Sequence, residues 1–121
     1  MKRPTGWEVT DGDTGRRDVS ASLPGGSAYL RRQGGAVTLE LSNVPLTKLQ
    51  VFFSPPDGFH LTSASALLLT GLVGKASTYS NVVAIYMAGG SLYPRATDEV
   101  RGIIQWTTQN VWPTTLPGEP T

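Results

Sequence analysis

The sequence lacks cysteine altogether and has a single histidine, His60. Without cysteine the chain can form neither a disulfide framework nor a thiolate-ligated zinc or iron–sulfur site. No stretch approaches the ~18 consecutive apolar residues of a membrane-spanning helix. No apolar run follows the charged start MKRPTGWEVT, so we expect no signal peptide and no membrane insertion.

Net charge is also nearly absent, because ten Lys and Arg oppose nine Asp and Glu to give +1. Binding to nucleic acid needs a clustered basic surface. Six of the ten basic residues fall in the first 32 positions, but acidic residues are interleaved with them, which indicates a solvated surface with salt bridges. We therefore expect no nucleic-acid partner. The basic residues are Lys2, Arg3, Arg16, Arg17, Arg31 and Arg32, and the acidic ones are Glu8, Asp11, Asp13 and Asp18.

The residues that catalysis requires are sparse. His60 follows the turn PPDGF, and Asp57 is its one nearby carboxylate in sequence. A Ser–His–Asp device needs a nucleophile as well, and no G-x-S-x-G motif is present. Asp98 and Glu99 are adjacent, so on a strand they face opposite sides and do not form a glycosidase pair. We expect no catalytic residue and no enzyme activity.

Asp11 and Asp13 are the best candidates for a metal site, because hard oxygen ligands suit Ca²⁺. The further oxygens and the late Glu of a calcium loop are absent. Two carboxylates in a Gly-rich turn more often accept hydrogen bonds from their own backbone. We therefore expect neither a metal nor a cofactor.

Turn signals recur about every 8–12 residues, which is typical of an all-β sandwich or barrel. The clearest pair of strands is SAYLRRQ and AVTLELS, joined by the hairpin dipeptide Gly34-Gly35. In the second strand Val37, Leu39 and Leu41 share one face. The segment LTSASALLLTGLVG also fits helical spacing, and within it we assign Leu67–Val73 to a strand narrowly. Further strands are predicted over GWEVT, RRDVSASL, KLQVFFS, YSNVVAIYMA, SLYPRA and VRGIIQWTT.

The predicted fold class is all-β: an antiparallel β-sandwich, jelly-roll-like, of about seven or eight strands. Residues 1–5 are expected to form an N-terminal arm, residues 6–108 the sandwich, and residues 109–121 an extended, Pro-rich tail. Prolines in the tail block helix and ladder continuation. Trp112 and Leu116 would then pack on a neighbouring subunit, although packing on the chain's own domain stays open.

Apolar and aromatic residues suggest where other molecules bind. Runs of consecutive apolar residues point to both sides of a strand, so both faces need cover and an oligomer interface is expected. Trp106 and Tyr86 are assigned to the core, whereas Tyr79 and Tyr93 are candidate ligand-facing aromatics. The predicted interface comprises Leu67, Leu68, Leu69, Val82, Val83, Trp112 and Leu116.

Several motifs occur together: GW-x-V, DTGRRDV, the hairpin LRRQGGAVTL, the turn PPDGF and the closing WPTTLPG. The combination resembles the C-terminal domains of minor tail proteins and receptor-binding fibres of long-tailed phages that infect actinobacteria. The matching positions are Arg31, Arg32 and Gly34 in the hairpin, Pro56, Gly58 and Phe59 in the turn, and Trp112 to Gly118 at the end.

The resemblance implies a β-sandwich that assembles as a homotrimer at the end of a tail appendage. Such a chain would be assembled in the host cytoplasm, become part of the virion, contact other tail proteins and bind a glycan or protein of the host cell surface. The alternative is a purely structural virion protein, such as a capsid decoration or tail-assembly protein, with no ligand of its own.

Overall fold

The computed structural model describes residues 12–61, 67–74, 81–88 and 90–121. In this part of the chain the fold is all-β, with eight antiparallel strands and one short 3₁₀ helix, as predicted. No helix among these residues is long and apolar enough to cross a membrane. The elements are β1 (Arg17–Asp18), η1 (Ser20–Ser22), β2 (Ser27–Gln33), β3 (Ala36–Leu46), β4 (Leu67–Gly74), β5 (Asn81–Ala88), β6 (Ser91–Pro94), β7 (Asp98–Thr107) and β8 (Glu119–Pro120).

The strands form one continuous sheet in the order β6-β5-β4-β7-β3-β2-β1-β8. Alternate residues of β2, β3, β5 and β6 are buried on one side of the sheet, such as Leu30 on β2 and Ile85 on β5. These two strands are separated by three others, yet both residues belong to a single hydrophobic core cluster. The sheet therefore encloses one core in a sandwich-like arrangement. We call the side of the sheet that points away from this core the outer face.

The β2–β3 hairpin follows its predicted register. Gln33 pairs with Ala36 across the two-residue turn, and Val37, Leu39 and Leu41 are all buried. A bulge then interrupts the pairing of β3 with β7 between Leu41 and Val44. It shifts the alternation by one residue, so that Val44 also faces the core.

Two predicted strands are wrong over most of their length. RRDVSASL is a strand only at Arg17–Asp18, because the Asp18 carboxylate accepts the Ser20 N–H at 2.9 Å and the chain turns into η1. KLQVFFS makes an isolated bridge at Phe53 and is otherwise not a strand, since Leu49 has a φ of 62° in a turn. GWEVT lies outside the described residues. The narrow assignment of Leu67–Val73 to a strand is confirmed by β4.

Neither edge of the sheet leaves a long row of unpaired backbone groups. At the β6 edge the chain segment 49–53 donates from Leu49 N to Pro94 O and from Phe52 N to Leu92 O, at 2.8 and 3.0 Å. At the other edge β8 has only two residues, one of which is Pro120. Short strands and prolines discourage pairing with another sheet.

Candidate functional site

Arg32 lies on the inner face of β2 and is only 6% exposed. Its guanidinium donates hydrogen bonds to the backbone carbonyls of Gly34, Gly58 and Asn110, at 2.7, 2.6 and 2.9 Å. A longer bond of 3.3 Å reaches Val111 O. Burial of a cation is costly unless its donors are satisfied. Backbone carbonyls satisfy Arg32, and the side chain thereby joins the hairpin, the PPDGF turn and the tail.

The PPDGF turn is fixed to the core by its last residue. Phe59 is fully buried, its N–H donates to Pro56 O at 3.0 Å, and its carbonyl accepts the indole N–H of Trp106 at 2.7 Å. Gly58 has a φ of 91°, and a Cβ at this position would lie 2.7–3.0 Å from the Pro113 ring. The turn and the tail are thus in direct contact, at a spacing that only glycine allows.

The tail packs on the chain's own domain, which is the alternative left open by the sequence. The indole of Trp112 lies over the Arg32 guanidinium, with 4.8 Å between Cζ and the ring centroid. Further along, β8 pairs with β1, and Arg17 Nε donates to Pro117 O at 2.9 Å. Trp112 and Leu116 are half-buried by these contacts. Their docking on a neighbouring subunit stays a prediction.

A groove of about 370 Å³ lies between the PPDGF turn and the tail. We call it the turn–tail groove. Its width is held by a hydrogen bond of 2.8 Å from the His60 N–H to the Asn110 side-chain carbonyl, and by the contact of Gly58 with Pro113. It is lined by Asp57, Gly58, His60, Asn110, Val111, Trp112, Pro113 and Thr114.

Tyr93, a predicted ligand-facing residue, lies on the outer face of the sheet. It pairs across the β5–β6 ladder with Tyr86, and the two rings stack with centroids 5.8 Å apart and planes 22° apart. The Arg95 guanidinium lies 5.4 Å from the centre of the Tyr86 ring. Both tyrosines are half-buried. Assignment of Tyr86 to the core is therefore wrong, because its neighbours Ile85 and Met87 occupy the inner side of β5; Trp106 is a core residue as predicted.

The predicted oligomer interface divides between core and surface. Val83 is 4% exposed and belongs to the chain's own core, which corrects its assignment to a subunit contact. Val82 points the other way and is 69% exposed. Tyr79 and the side chains of 67–69 lie outside the described part of the structure.

Asp13 is engaged by the protein itself. Arg31 donates to both of its carboxylate oxygens, at 3.0 and 2.6 Å, and the Gly15 N–H donates at 2.8 Å. The hydrogen bond from Arg31 lowers the pKa of Asp13, and partial burial opposes it. Asp13 thus forms the expected backbone turn, while Asp11 lies outside the described residues. No group of three or more metal-ligating side chains occurs among the residues that the structure describes.

Arg16 and Arg17 also bind within the chain. Arg16 lies 3.8 Å from the centre of the Tyr29 ring and 3.4 Å from a Glu40 carboxylate oxygen. Arg17 donates to the tail carbonyls of Pro117 and Gly118, at 2.9 and 3.2 Å. From the sequence we predicted a solvated surface with salt bridges for these basic residues. The burial of Arg32 was not predicted. The alternation that puts Leu30 inward also puts Arg32 inward, and was the available signal.

The chain matches no family model, no curated protein and no solved structure. A function therefore has to be argued from the surfaces described above. Two of them combine aromatic rings with polar groups: the outer-face tyrosine pair and the turn–tail groove.

Proposed function

We propose that this chain is a non-catalytic binding domain of a phage tail appendage and attaches the virion to the host cell surface. The observation that carries the proposal is the stacked pair of Tyr86 and Tyr93 on the outer face. The tail-protein motifs in the sequence support it, as does the all-β fold. The chain would act as a homotrimer in the virion, with other tail proteins as its neighbours.

The tyrosine pair has the chemistry of a recognition surface. The two rings stack on each other on adjacent strands and together form an aromatic cluster with hydroxyl groups on the outer face; such amphipathic rings are favoured at interfaces. A sugar ring offers a complementary apolar face of C–H groups surrounded by hydroxyls. Arg95, beside Tyr86, adds hydrogen-bond donors. Because the strands hold both rings in place, binding costs little conformational entropy.

The alternative, a purely structural virion protein, draws support from a different surface. Val82 and Ile103 both lie on the outer face, and they are 69% and 54% exposed. Exposed apolar residues on one face suit contact with another subunit. The same contact would serve the proposed homotrimer, so it does not by itself separate the two functions.

Binding to host cells distinguishes the proposed host-binding domain from a purely structural virion protein. The fluorescently labelled protein is incubated with actinobacterial host cells, and with their purified cell-wall polysaccharide, and sedimented. We expect the protein to sediment with both, and Tyr86→Ala or Tyr93→Ala to weaken binding about tenfold or more, as for a hot-spot residue. Tyr29→Ala is the matched control, since that ring lies on the outer face of β2, with three strands between it and β5, and should be dispensable for binding at the Tyr86–Tyr93 pair. A protein that sediments with neither, or whose binding survives both substitutions, overturns the proposal.

The oligomeric state is tested separately. Val82→Glu and Ile103→Glu place charges on the outer face without touching the core. We expect analytical ultracentrifugation to give a trimer for the unmodified protein and monomers for the double variant. A monomer at micromolar concentration in the unmodified protein contradicts the trimer, and leaves the adhesion experiment unaffected.

A further inference from the structure

We infer that the turn–tail groove binds a neutral sugar unit of one or two rings. This site lies apart from the stacked pair Tyr86–Tyr93, so it can stand or fall independently of the proposed attachment to cells. The inference rests on three properties of the groove: fixed walls, a lining that combines an indole with several polar groups, and a neighbouring arginine, Arg32, that is buried and outside the lining.

The walls are fixed before any ligand arrives. Arg32 binds a carbonyl on each side, Gly58 O of the turn and Asn110 O of the tail, at 2.6 and 2.9 Å. Pro113 packs directly on Gly58, and the Asn110 side chain binds the backbone of His60. A site that is already shaped does not spend binding free energy on ordering itself.

The lining suits hydroxyl groups next to an apolar ring face. Trp112 provides the flat aromatic surface. Asp57 accepts hydrogen bonds, and the Thr114 hydroxyl both donates and accepts. The Asn110 side-chain carbonyl is taken by His60 N–H, which turns its NH₂ group away as a donor that has no acceptor among the described residues. Acceptors and donors of this kind around an indole match the alternating hydroxyls of a sugar.

Other ligand classes fit less well. A phosphate or carboxylate needs free cationic donors, whereas Arg32 is buried, lies outside the lining and donates to the carbonyls of Gly58 and Asn110, and Asp57 adds negative charge. An extended peptide would need backbone acceptors along the tail, and those of Asn110 and Val111 already bind Arg32. A volume of about 370 Å³ is at the lower end for small-ligand sites, about 300–1,000 Å³. One or two sugar rings fill it.

The experiment follows the three indole N–H signals of the complete ¹⁵N-labelled protein by NMR, assigned by Trp→Phe replacements. The probes are methyl galactoside, methyl mannoside, rhamnose and N-acetylglucosamine, each titrated to about 100 mM. A single ring has few atoms to contribute, so we expect at least one probe to move the Trp112 signal with a Kd of about 1–10 mM. The Trp106 signal should stay in place, because that indole is buried and bound to Phe59 O.

Matched variants locate the ligand. Asp57→Ala and Thr114→Ala should each raise the Kd about fivefold or more, whereas Thr115→Ala, an exposed neighbour outside the lining, should leave it unchanged. The inference is overturned if no probe moves the Trp112 signal, or if all three variants behave alike. It is also overturned if that signal moves with protein concentration alone, since a second copy would then fill the groove. If the groove fails while Tyr86→Ala still abolishes sedimentation with cells, the proposed function stands.

Discussion

Arg31 and Arg32 are neighbours on β2 with opposite surroundings. Arg31 points to the outer face, where its side chain is 42% exposed and pairs with Asp13 at 2.6 Å. Arg32 points inward, is 6% exposed and binds backbone carbonyls of three separate segments. The residue type is the same, so the two-residue period of the strand alone decides which arginine is a surface ion pair and which supports the tail.

The comparison also separates two scales of free energy. An exposed salt bridge contributes about 0–1 kcal/mol, because water competes for both partners and ordering long side chains costs entropy. A buried carbonyl that loses its donor costs about 1–3 kcal/mol, because water cannot replace the donor. Removal of Arg32 deprives several carbonyls at once. We therefore expect Arg32 to contribute more to the free energy of unfolding than Arg31 does.

The largest effect is expected for Arg32→Ala. The carbonyls of Gly58 and Asn110 lose their donor, and we expect the free energy of unfolding to fall by about 3–5 kcal/mol. Arg31→Ala is the matched control and should cost no more than about 1 kcal/mol. Urea unfolding followed by tryptophan fluorescence measures both. Equal losses in the two variants would show that burial does not distinguish these arginines.

A smaller effect is expected for Gly58→Ala, which tests the contact between the PPDGF turn and Pro113 of the tail. The φ of 91° strains any side chain, and the added Cβ meets Pro113 at 2.7–3.0 Å, so we expect a loss of about 2–3 kcal/mol. Gly90→Ala is the control: its φ of 80° brings similar strain, but apart from its chain neighbours no described residue has an atom within 4 Å of the added Cβ. It should lose only about 1 kcal/mol. The comparison fails if Gly90→Ala melts as early as Gly58→Ala.

Truncation after Leu116 should cost about 1–2 kcal/mol. It removes β8 and the two carbonyls that Arg17 binds, yet keeps every contact of Arg32 with the tail. Differential scanning calorimetry should place its melting temperature above that of Arg32→Ala. Arg17→Ala removes only the two hydrogen bonds from its side chain and keeps the pairing of β1 with β8, so it should cost less than the truncation. A truncation that melts below Arg32→Ala would assign the greater share of tail stability to β8.

The smallest effect on stability is expected when pH is lowered and Asp13, the salt-bridge partner of Arg31, becomes protonated. Arg31 lowers the pKa of Asp13 in the folded protein, so the stabilisation is present above the ordinary value near 4 and is lost as pH falls through the lowered pKa. Asp18 behaves in the same way, because the Ser20 hydroxyl and N–H lower its pKa. Asp13→Asn should reduce the loss of stability between about pH 4 and pH 2. An unchanged pH profile of stability would show that Asp13 does not contribute to the loss of stability in acid.

Periodicity predicted the parts of the fold that depend on one hairpin and its neighbours. The hairpin β2–β3 and the inward set Val37, Leu39 and Leu41 follow from alternation and the Gly34-Gly35 turn. On β7 the same alternation accounts for the burial of Val100, Ile104 and Trp106 and for the exposure of Ile103, which is 54% exposed.

The errors have physical causes that a pattern of apolar residues does not contain. KLQVFFS is apolar enough for a strand, but a turn at Leu49 limits it to one bridge at the edge of β6. RRDVSASL is interrupted by a side-chain hydrogen bond of Asp18. The turn–tail groove joins residues about 50 positions apart, as the bond from His60 to Asn110 shows with a separation of 50. A contact between residues so far apart depends on tertiary structure rather than on their spacing in the sequence.

The hydrogen bond from Arg32 to Asn110 spans 78 residues, and this has a consequence for synthesis. At about 5–20 residues per second, a ribosome needs about 4–16 s to proceed from one partner to the other. A nascent chain that ends at Thr107 already contains β2 to β7, yet its Arg32 has only the acceptors of Gly34 and Gly58. The guanidinium therefore completes its set of hydrogen bonds only after the tail has been synthesised. We expect chains that stall before Asn110 to lack these hydrogen bonds and to be less stable than the complete chain, which makes them more susceptible to cellular proteases.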